Sequence, residues 1–276
     1  MSDGPHAARQ LIVTADDFGL DPAVNAAVER AHVEGALTAA SLMVAAPAAA
    51  EAVAIARRLP TLGVGLHLVL ADGPAASPPE RIPDLVDRDG RFGDRMARDG
   101  VRFFFLPRVR RQLAIEIRAQ FEAYRATGLP LDHVDTHKHF HLHPTVLSLV
   151  LAIGRDYGLR AMRLPLEPGT GRWLRPWQRL VQRRLAGAGV IHNRALHGLA
   201  STGATDEAAL LAILDRLAPG LNEVYLHPAT RRGLNAAMSG YRHDDELAAL
   251  CSPRVRARLA ERGIVTGRWA DFVAPR

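Results

Sequence analysis

The sequence predicts one parallel α/β domain, either a barrel or a doubly wound sheet. Three observations carry that expectation. Short apolar runs of β type alternate with helical segments along the whole length. No stretch between residues 1 and 276 reads as a linker or an internal repeat. With 276 residues, 48% of them hydrophobic, the chain can bury one sizeable core.

The elements follow in order. Residues 11–15 form a first β-run that ends on Asp16 and Asp17, and residues 22–34 are helical, with Asp21 as N-cap and Pro22 in the first turn. A strand over 37–46, a helix over 47–59 and a strand over 64–70 come next. A Pro- and Gly-rich insertion at 72–100 then interrupts the rhythm. Residues 109–127 make a charged amphipathic helix. Residues 133–142 are strand-like, 144–157 helical and 161–165 a strand. Further strands are expected at 194–199 and 223–227. Further helices are expected at 206–217 and 252–262, the latter capped by Ser252 and Pro253.

Composition narrows the function classes. Thirty-five Lys and Arg oppose 29 Asp and Glu, a net charge of +6, but the arginines are spread out rather than gathered in one run. No nucleic-acid partner is therefore expected. The single cysteine, Cys251, rules out an intramolecular disulfide and suggests a cytoplasmic setting. The apolar run at 11–15 is too short for a signal core, and the run at 37–56 is broken by Pro47 and Glu51.

The chemistry-bearing residues gather where strands are expected to end. Asp16 and Asp17 precede Phe18-Gly19, His67 lies in Gly65-Leu-His-Leu68, and Arg163 follows Ala161-Met162. Asp135, His137 and His139 share one run, and His227 ends Val224-Tyr-Leu-His-Pro228. In a β/α barrel the carboxyl ends of the strands share one rim, where active sites are built. One carboxylate with two imidazoles makes an open divalent-metal site, which lowers the pKa of bound water and polarises a carbonyl. Adjacent aspartates face opposite sides of a regular strand. At a strand exit freed by Gly19, both can lean inward, one holding metal and the other taking a proton from water.

Each feature also has a plainer explanation: a cap or turn for Asp-Asp, a satisfied core ring for His67. The segment 133–143 resists one, because it holds five of the twelve histidines. On a strand, His137, His139, His141 and His143 would share one face. Not all can bind one ion, so some must support ligands or touch substrate.

Four blocks then carry a resemblance: Thr14-Ala-Asp-Asp-Phe-Gly19, Gly65-Leu-His-Leu68, Asp135-Thr-His-Lys-His-Phe-His141 and Leu226-His-Pro228. In this order they resemble the signature blocks of the YdjC/ChbG-type carbohydrate deacetylases, over roughly residues 10 to 270. The resemblance implies a single deformed (β/α) TIM-like barrel spanning 1–276 and hydrolysis of a sugar N-acetyl group with one divalent ion, magnesium or zinc. It implies Asp17, His67 and His137 as metal ligands, Asp16 as general base and His227 as acid on the leaving amine. Arg163 would orient Asp16, and His139 and His141 are expected to bind substrate. Thr14 stands where the family commonly has asparagine, a tolerable change.

Further texture, in residues 39–46, 103–108 and 137–144, resembles the hopanoid-biosynthesis branch called HpnK. That would make the substrate an N-acetylglucosaminyl bacteriohopane polyol. A helical wheel over 172–185 sets Arg172, Arg175, Arg179 and Arg183 beside Trp173, Trp177, Leu180 and Val181. A basic amphipathic segment with tryptophan suits peripheral contact with the inner membrane face. A homodimer is a further expectation. The rivals are a chito-oligosaccharide deacetylase of the same family, a metal-dependent phosphoesterase or nuclease, and a catalytically silent binder of sugar or lipid.

Overall fold

A computed structural model describes residues 8–167 and 175–274. Seven strands lie in the order β4-β3-β2-β1-β6-β5, with β7 against the start of β1. They are β1 (Arg9–Phe18), β2 (Ala39–Leu42), β3 (Gly63–Leu68), β4 (Val134–Thr136), β5 (Ala195–His197), β6 (Gly220–Leu226) and β7 (Val265–Thr266). Every pairing is parallel. Beyond β4 the sheet continues only as isolated parallel bridges, Val134 with Met162 and Ala161 with Ile191. Leu196 in β5 then donates its N–H to the Leu166 carbonyl at 2.9 Å. The sheet thus curls into a half-barrel completed by irregular chain, a deformed TIM-like barrel.

Burial explains why the sheet is parallel. All residues of β2 and β3, and β1 from Leu11 onward, are buried, so both faces must be covered. The covering helices are α1 (Pro22–Glu34), α2 (Ala49–Arg58), α3 (Met96–Phe105), α4 (Pro107–Ala126), α5 (Pro144–Gly154), α6 (Arg175–Gly187), α7 (Glu207–Asp215), α8 (His243–Cys251), α9 (Pro253–Glu261) and the short α10 (Trp269–Phe272). Asp21 caps α1 by accepting from the Ala23 N–H at 2.8 Å. Ser252 caps α9 by accepting from Arg254 and Val255.

Several sequence expectations need correction. The strand expected at 161–165 shrinks to two bridging residues, because the chain turns back at once with Leu166 N–H on the Leu164 carbonyl. α3 and α8 have no counterpart in the sequence reading. The largest correction concerns 133–142. β4 stops at Thr136, and residues 137–142 coil in short 3-10 turns with Lys138 and His139 left-handed, both at φ 56°. The Thr136 hydroxyl closes this turn by accepting from the His141 N–H at 3.0 Å. His137, His139, His141 and His143 therefore do not share a strand face.

The basic helix is also altered. Arg172 and Trp173 lie outside the described residues. Within α6, Val181 is fully buried, and Trp177 donates its indole N–H to the Leu142 carbonyl at 3.1 Å. Val181 and the indole N–H of Trp177 are therefore engaged in the protein's own packing. Among the described residues, no helix is long and apolar enough to cross one.

Candidate metal centre and its rim

The carboxyl ends of the strands converge as expected, and a β-bulge brings the two aspartates together. Between Ala15 and Phe18, β1 advances three residues while β2 advances two, from Ala40 to Leu42. The extra residue falls at Asp16-Asp17, and Asp17 takes φ 62°. A bulge re-aims side chains that a regular strand would send to opposite faces. Gly19, at φ 93°, sits too close to the Ala49 backbone for a side chain to fit easily, and its N–H is held by Asn25 Oδ1 at 2.9 Å.

Asp17, His67 and His137 offer three buried donor atoms that lie within 4.8 Å of one another. His67 Nε2 is 3.3 Å from Asp17 Oδ1, His137 Nδ1 is 3.1 Å from the same oxygen, and the two ring nitrogens are 3.3 Å apart. Donors held about 2.1 Å from a tetrahedral ion lie roughly 3.4 Å from each other. Neither carboxylate oxygen of Asp17 has a hydrogen bond, although the residue is 1% exposed. Buried carboxylates are ordinarily bonded or paired with a cation. The three residues fit a divalent metal on both counts.

Asp135 orients the set. Its Oδ1 takes the Nδ1 side of His67 at 2.8 Å, which leaves Nε2 facing Asp17. A carboxylate behind a ligating imidazole fixes the tautomer and raises the ring's basicity. Burial alone would lower the His67 pKa, but Asp135, Asp17 and Asp16 raise it well above the usual histidine range. Burial likewise pushes Asp17 up, and the rings of His137 and His67 outweigh it, leaving Asp17 well below the ordinary carboxylate value. Without an ion the acid and the rings stabilise each other's charged forms; a bound dication would take over that role for Asp17 and would bind the rings in their neutral form.

Arg163 is fully buried and is surrounded by acids. It forks onto Asp16, Nη1 to Oδ2 at 2.6 Å and Nη2 to Oδ1 at 2.7 Å. Nη1 also meets Asp135 Oδ2 at 2.7 Å, and Nε and Nη2 reach Glu223 Oε1 at 3.0 and 2.9 Å. The Tyr225 ring lies 5.0 Å from the guanidinium carbon. One cation thus holds three carboxylates, and bidentate pairing fixes the plane of Asp16.

A cavity of about 230 Å³ opens over this rim, lined by Asp16, His67, His137, His139, Tyr225 and His227, with Lys138, Asp72 and Tyr241 near them. Lys138 Nζ meets Asp72 Oδ2 at 2.6 Å. Of the 72–100 segment only Asp72 lines the cavity. The rest is pinned down elsewhere, for example by Glu116 accepting from the Ala76 and Ser77 N–H groups.

His227 is half-buried, with its Nδ1 inaccessible and unbonded and its ring edge-on to Tyr225 and Tyr241 at 5.4 and 5.2 Å. Burial lowers its pKa, and the carboxylates of Asp17 and Asp16 only partly restore it. Its backbone N–H is held by Glu246 Oε2 at 2.6 Å. His139 lines the cavity beside Tyr225, and burial together with Arg163 holds it well below the normal histidine pKa. His141 does not line the cavity. The turn after Thr136 directs it inward, where its Nδ1 meets the Thr136 hydroxyl at 2.7 Å, and burial lowers its pKa to about 4.

Asp135 and Glu223 were the contributors without an assigned role in the sequence reading. Glu223 and Tyr225 in β6 and His227 just past its end alternate, and that period of two points all three to the site's side. Glu246 carries no such signal, because it lies on α8, a helix with no strand-end motif beside it.

A family model described as YdjC-like protein matches residues 10–261. The chain belongs to the YdjC-like family. A carbohydrate deacetylase of Geobacillus stearothermophilus is 34% identical over 268 residues, covering 96% of this chain and 98% of that protein. A carbohydrate deacetylase of Brevibacillus brevis is 42% identical over 161 residues, which span 58% of this chain and 61% of the relative. Among solved structures, a putative cellobiose-phosphate cleavage protein from Enterococcus faecalis V583 superposes with a TM-score of 0.80. It is 27% identical, over 97% of this chain and 100% of that one.

Proposed function

We propose that this YdjC-like barrel is a carbohydrate deacetylase that hydrolyses the N-acetyl group of an N-acetylglucosamine-type sugar. The observation that carries the proposal is Asp17, a buried carboxylate without a hydrogen bond, facing His67 and His137 at the rim of the barrel. A divalent ion held there would polarise the acetamide carbonyl and acidify a water. Two imidazoles with one carboxylate suit zinc better than magnesium, which prefers an all-oxygen shell.

The remaining chemistry belongs to the side chains. Asp16, held in plane by Arg163, accepts the proton as water attacks the carbonyl carbon. The C–N bond then breaks, and its nitrogen needs a proton. His227, whose pKa is lowered by desolvation, can donate only once Asp16 has passed on to it the proton taken from the water. His139 and Tyr225 shape the wall that orients the sugar. The products are acetate and a free amino sugar.

The finer reading is a lipid-linked substrate, an N-acetylglucosaminyl bacteriohopane polyol. Its support is the sequence texture shared with the hopanoid branch. A two-metal phosphoesterase is disfavoured, because the second possible group, Asp16, His67 and Asp135, shares His67 with the first. Arg163 already occupies both of its carboxylates.

The test is acetate release from an N-acetylglucosaminyl lipid and from N,N′-diacetylchitobiose, using chelated protein before and after zinc or magnesium is restored. Metal-dependent release from the lipid alone supports the full reading. Release from the chito-sugar keeps deacetylation and removes the lipid. No release from either, with metal bound, overturns the proposal.

A further inference from the structure

Among the described residues, the largest group of exposed apolar side chains lies outside the cavity lining, where α3 meets α4. Leu106 is the one residue between the two helices. Around it Val101, Phe104, Phe105 and Leu106 are 59%, 47%, 69% and 45% exposed. Phe103 explains why its neighbours are left outside. Its ring is buried against Phe140 at 5.2 Å, and that contact turns Phe104 and Phe105 outward, edge to face at 4.9 Å. A contiguous exposed aromatic cluster of this kind marks an interaction surface.

Charge identifies the partner. Residues 100–115 contain Arg102, Arg108, Arg110 and Arg111 and no acidic residue. Arg102 and Arg108 are turned onto Asp99 and Asp84. Arg110 and Arg111 are exposed and have no carboxylate partner among the described residues. A second copy docking with the two-fold axis through the apex would gather four arginines without carboxylate partners, two from each copy, around one apolar patch. A phospholipid surface meets both needs, with acyl chains for the phenylalanines and phosphates for the guanidinium groups.

We infer that the α3–α4 apex is a docking surface for an anionic lipid membrane. It is separate from α6, whose Trp177 and Val181 are used inside the protein. The apex rests on the turn that builds the cavity wall. Phe103 packs on Phe140, and the Phe104 ring is 6.3 Å from that of His143, while His137, Lys138 and His139 of the same turn line the cavity. One turn, residues 137–143, thus carries both the apex contact and part of the cavity wall. The inference goes beyond the deacetylase reading and does not require a lipid substrate, since a soluble sugar can be hydrolysed by a docked protein.

The experiment is co-sedimentation of the full chain with vesicles of phosphatidylcholine alone, and of phosphatidylcholine with 30% phosphatidylglycerol (about the anionic content that attracts basic surfaces). Binding is expected for the anionic vesicles only. Phe104→Ser with Phe105→Ser should weaken it about tenfold or more. Arg110→Gln with Arg111→Gln should remove the preference for anionic lipid, while Arg179→Gln with Leu180→Ser in α6 leaves binding unchanged. Deacetylation of N,N′-diacetylchitobiose, or circular dichroism if that sugar is not a substrate, shows that each variant is folded. Absence of vesicle binding by the wild type, or binding indifferent to the phenylalanine pair, overturns the inference. So does concentration-dependent self-association, measured by sedimentation velocity, that the phenylalanine variant loses.

Discussion

Two buried aspartates, at opposite ends of the same barrel, show how a carboxylate is used for architecture and how it is used for chemistry. Asp132, just before β4, accepts from the Ala270 N–H at 2.9 Å and the Trp269 N–H at 3.3 Å and pairs with His133 Nδ1 at 3.0 Å. It anchors α10 against the base of the sheet, beside an apolar cavity of about 260 Å³. Asp17, at the other end, has no hydrogen bond on either oxygen. The base is saturated and inert, whereas the rim keeps one charge in reserve and surrounds it with nitrogen donors. The difference lies in the bonds each acid is given, since both are buried.

That contrast can be broken by mutation. The largest effect is expected for Asp17→Asn, which should abolish retention of a divalent ion through gel filtration and lower acetate release about a thousandfold or more, with the fold kept. Full metal content in this variant would remove Asp17 from the ligand set. Next comes Arg163→Met, which leaves Asp16, Asp135 and Glu223 buried without their cation. A loss of about 3–5 kcal/mol is expected in urea unfolding, and an unchanged midpoint would mean that the acids are not charged in the folded protein.

Glu246 is an intermediate case, bonded to the backbone N–H groups of Thr205 and His227 at 3.0 and 2.6 Å yet buried enough to raise its pKa to about 7. A carboxyl whose folded pKa exceeds its usual value near 4.5 favours the folded state while protonated. That stability is complete below about pH 4.5 and is lost as the pH rises through 7. Wild type should therefore lose on the order of 3 kcal/mol across this window relative to Glu246→Gln. Parallel melting curves at pH 5 and pH 8 for the two proteins would contradict it. The smallest effect is expected at the base. Asp132→Asn should cost about 1–3 kcal/mol through unpaired N–H groups, while metal content and turnover stay near wild type.

The rim was more legible in the sequence than the elements that shape it. Asp16, Asp17, His67 and His227 could be placed because each closes or follows an apolar run of β type, and strand ends share a rim. Where the periodicity misled, a side chain or a distant contact had replaced it. The alternating histidines from 137 to 143 imitate a strand, but the Thr136 hydroxyl and the Lys138–Asp72 pair hold the backbone in a left-handed turn. α3 was hidden by Gly100 in its middle and by the Pro- and Gly-rich run before it. The pairing of Asp16 and Asp17 on one side depended on a bulge that only the register with β2 reveals.

β1 lies between β2 and β6, so Ala15 pairs with Ala40 on one side and with Leu226 on the other. The second partner is synthesised some two hundred residues later. Until it arrives, Arg163 has Asp16 but lacks Glu223, and β1 presents an edge of unpaired backbone N–H and C=O groups. Folding of this kind, dominated by distant contacts, is slow and vulnerable to aggregation while it waits. A nascent chain stalled before β6 would carry all three ligands of the candidate metal centre and still have no enclosed site. Activity should therefore appear only after β6 has been made and has paired with β1.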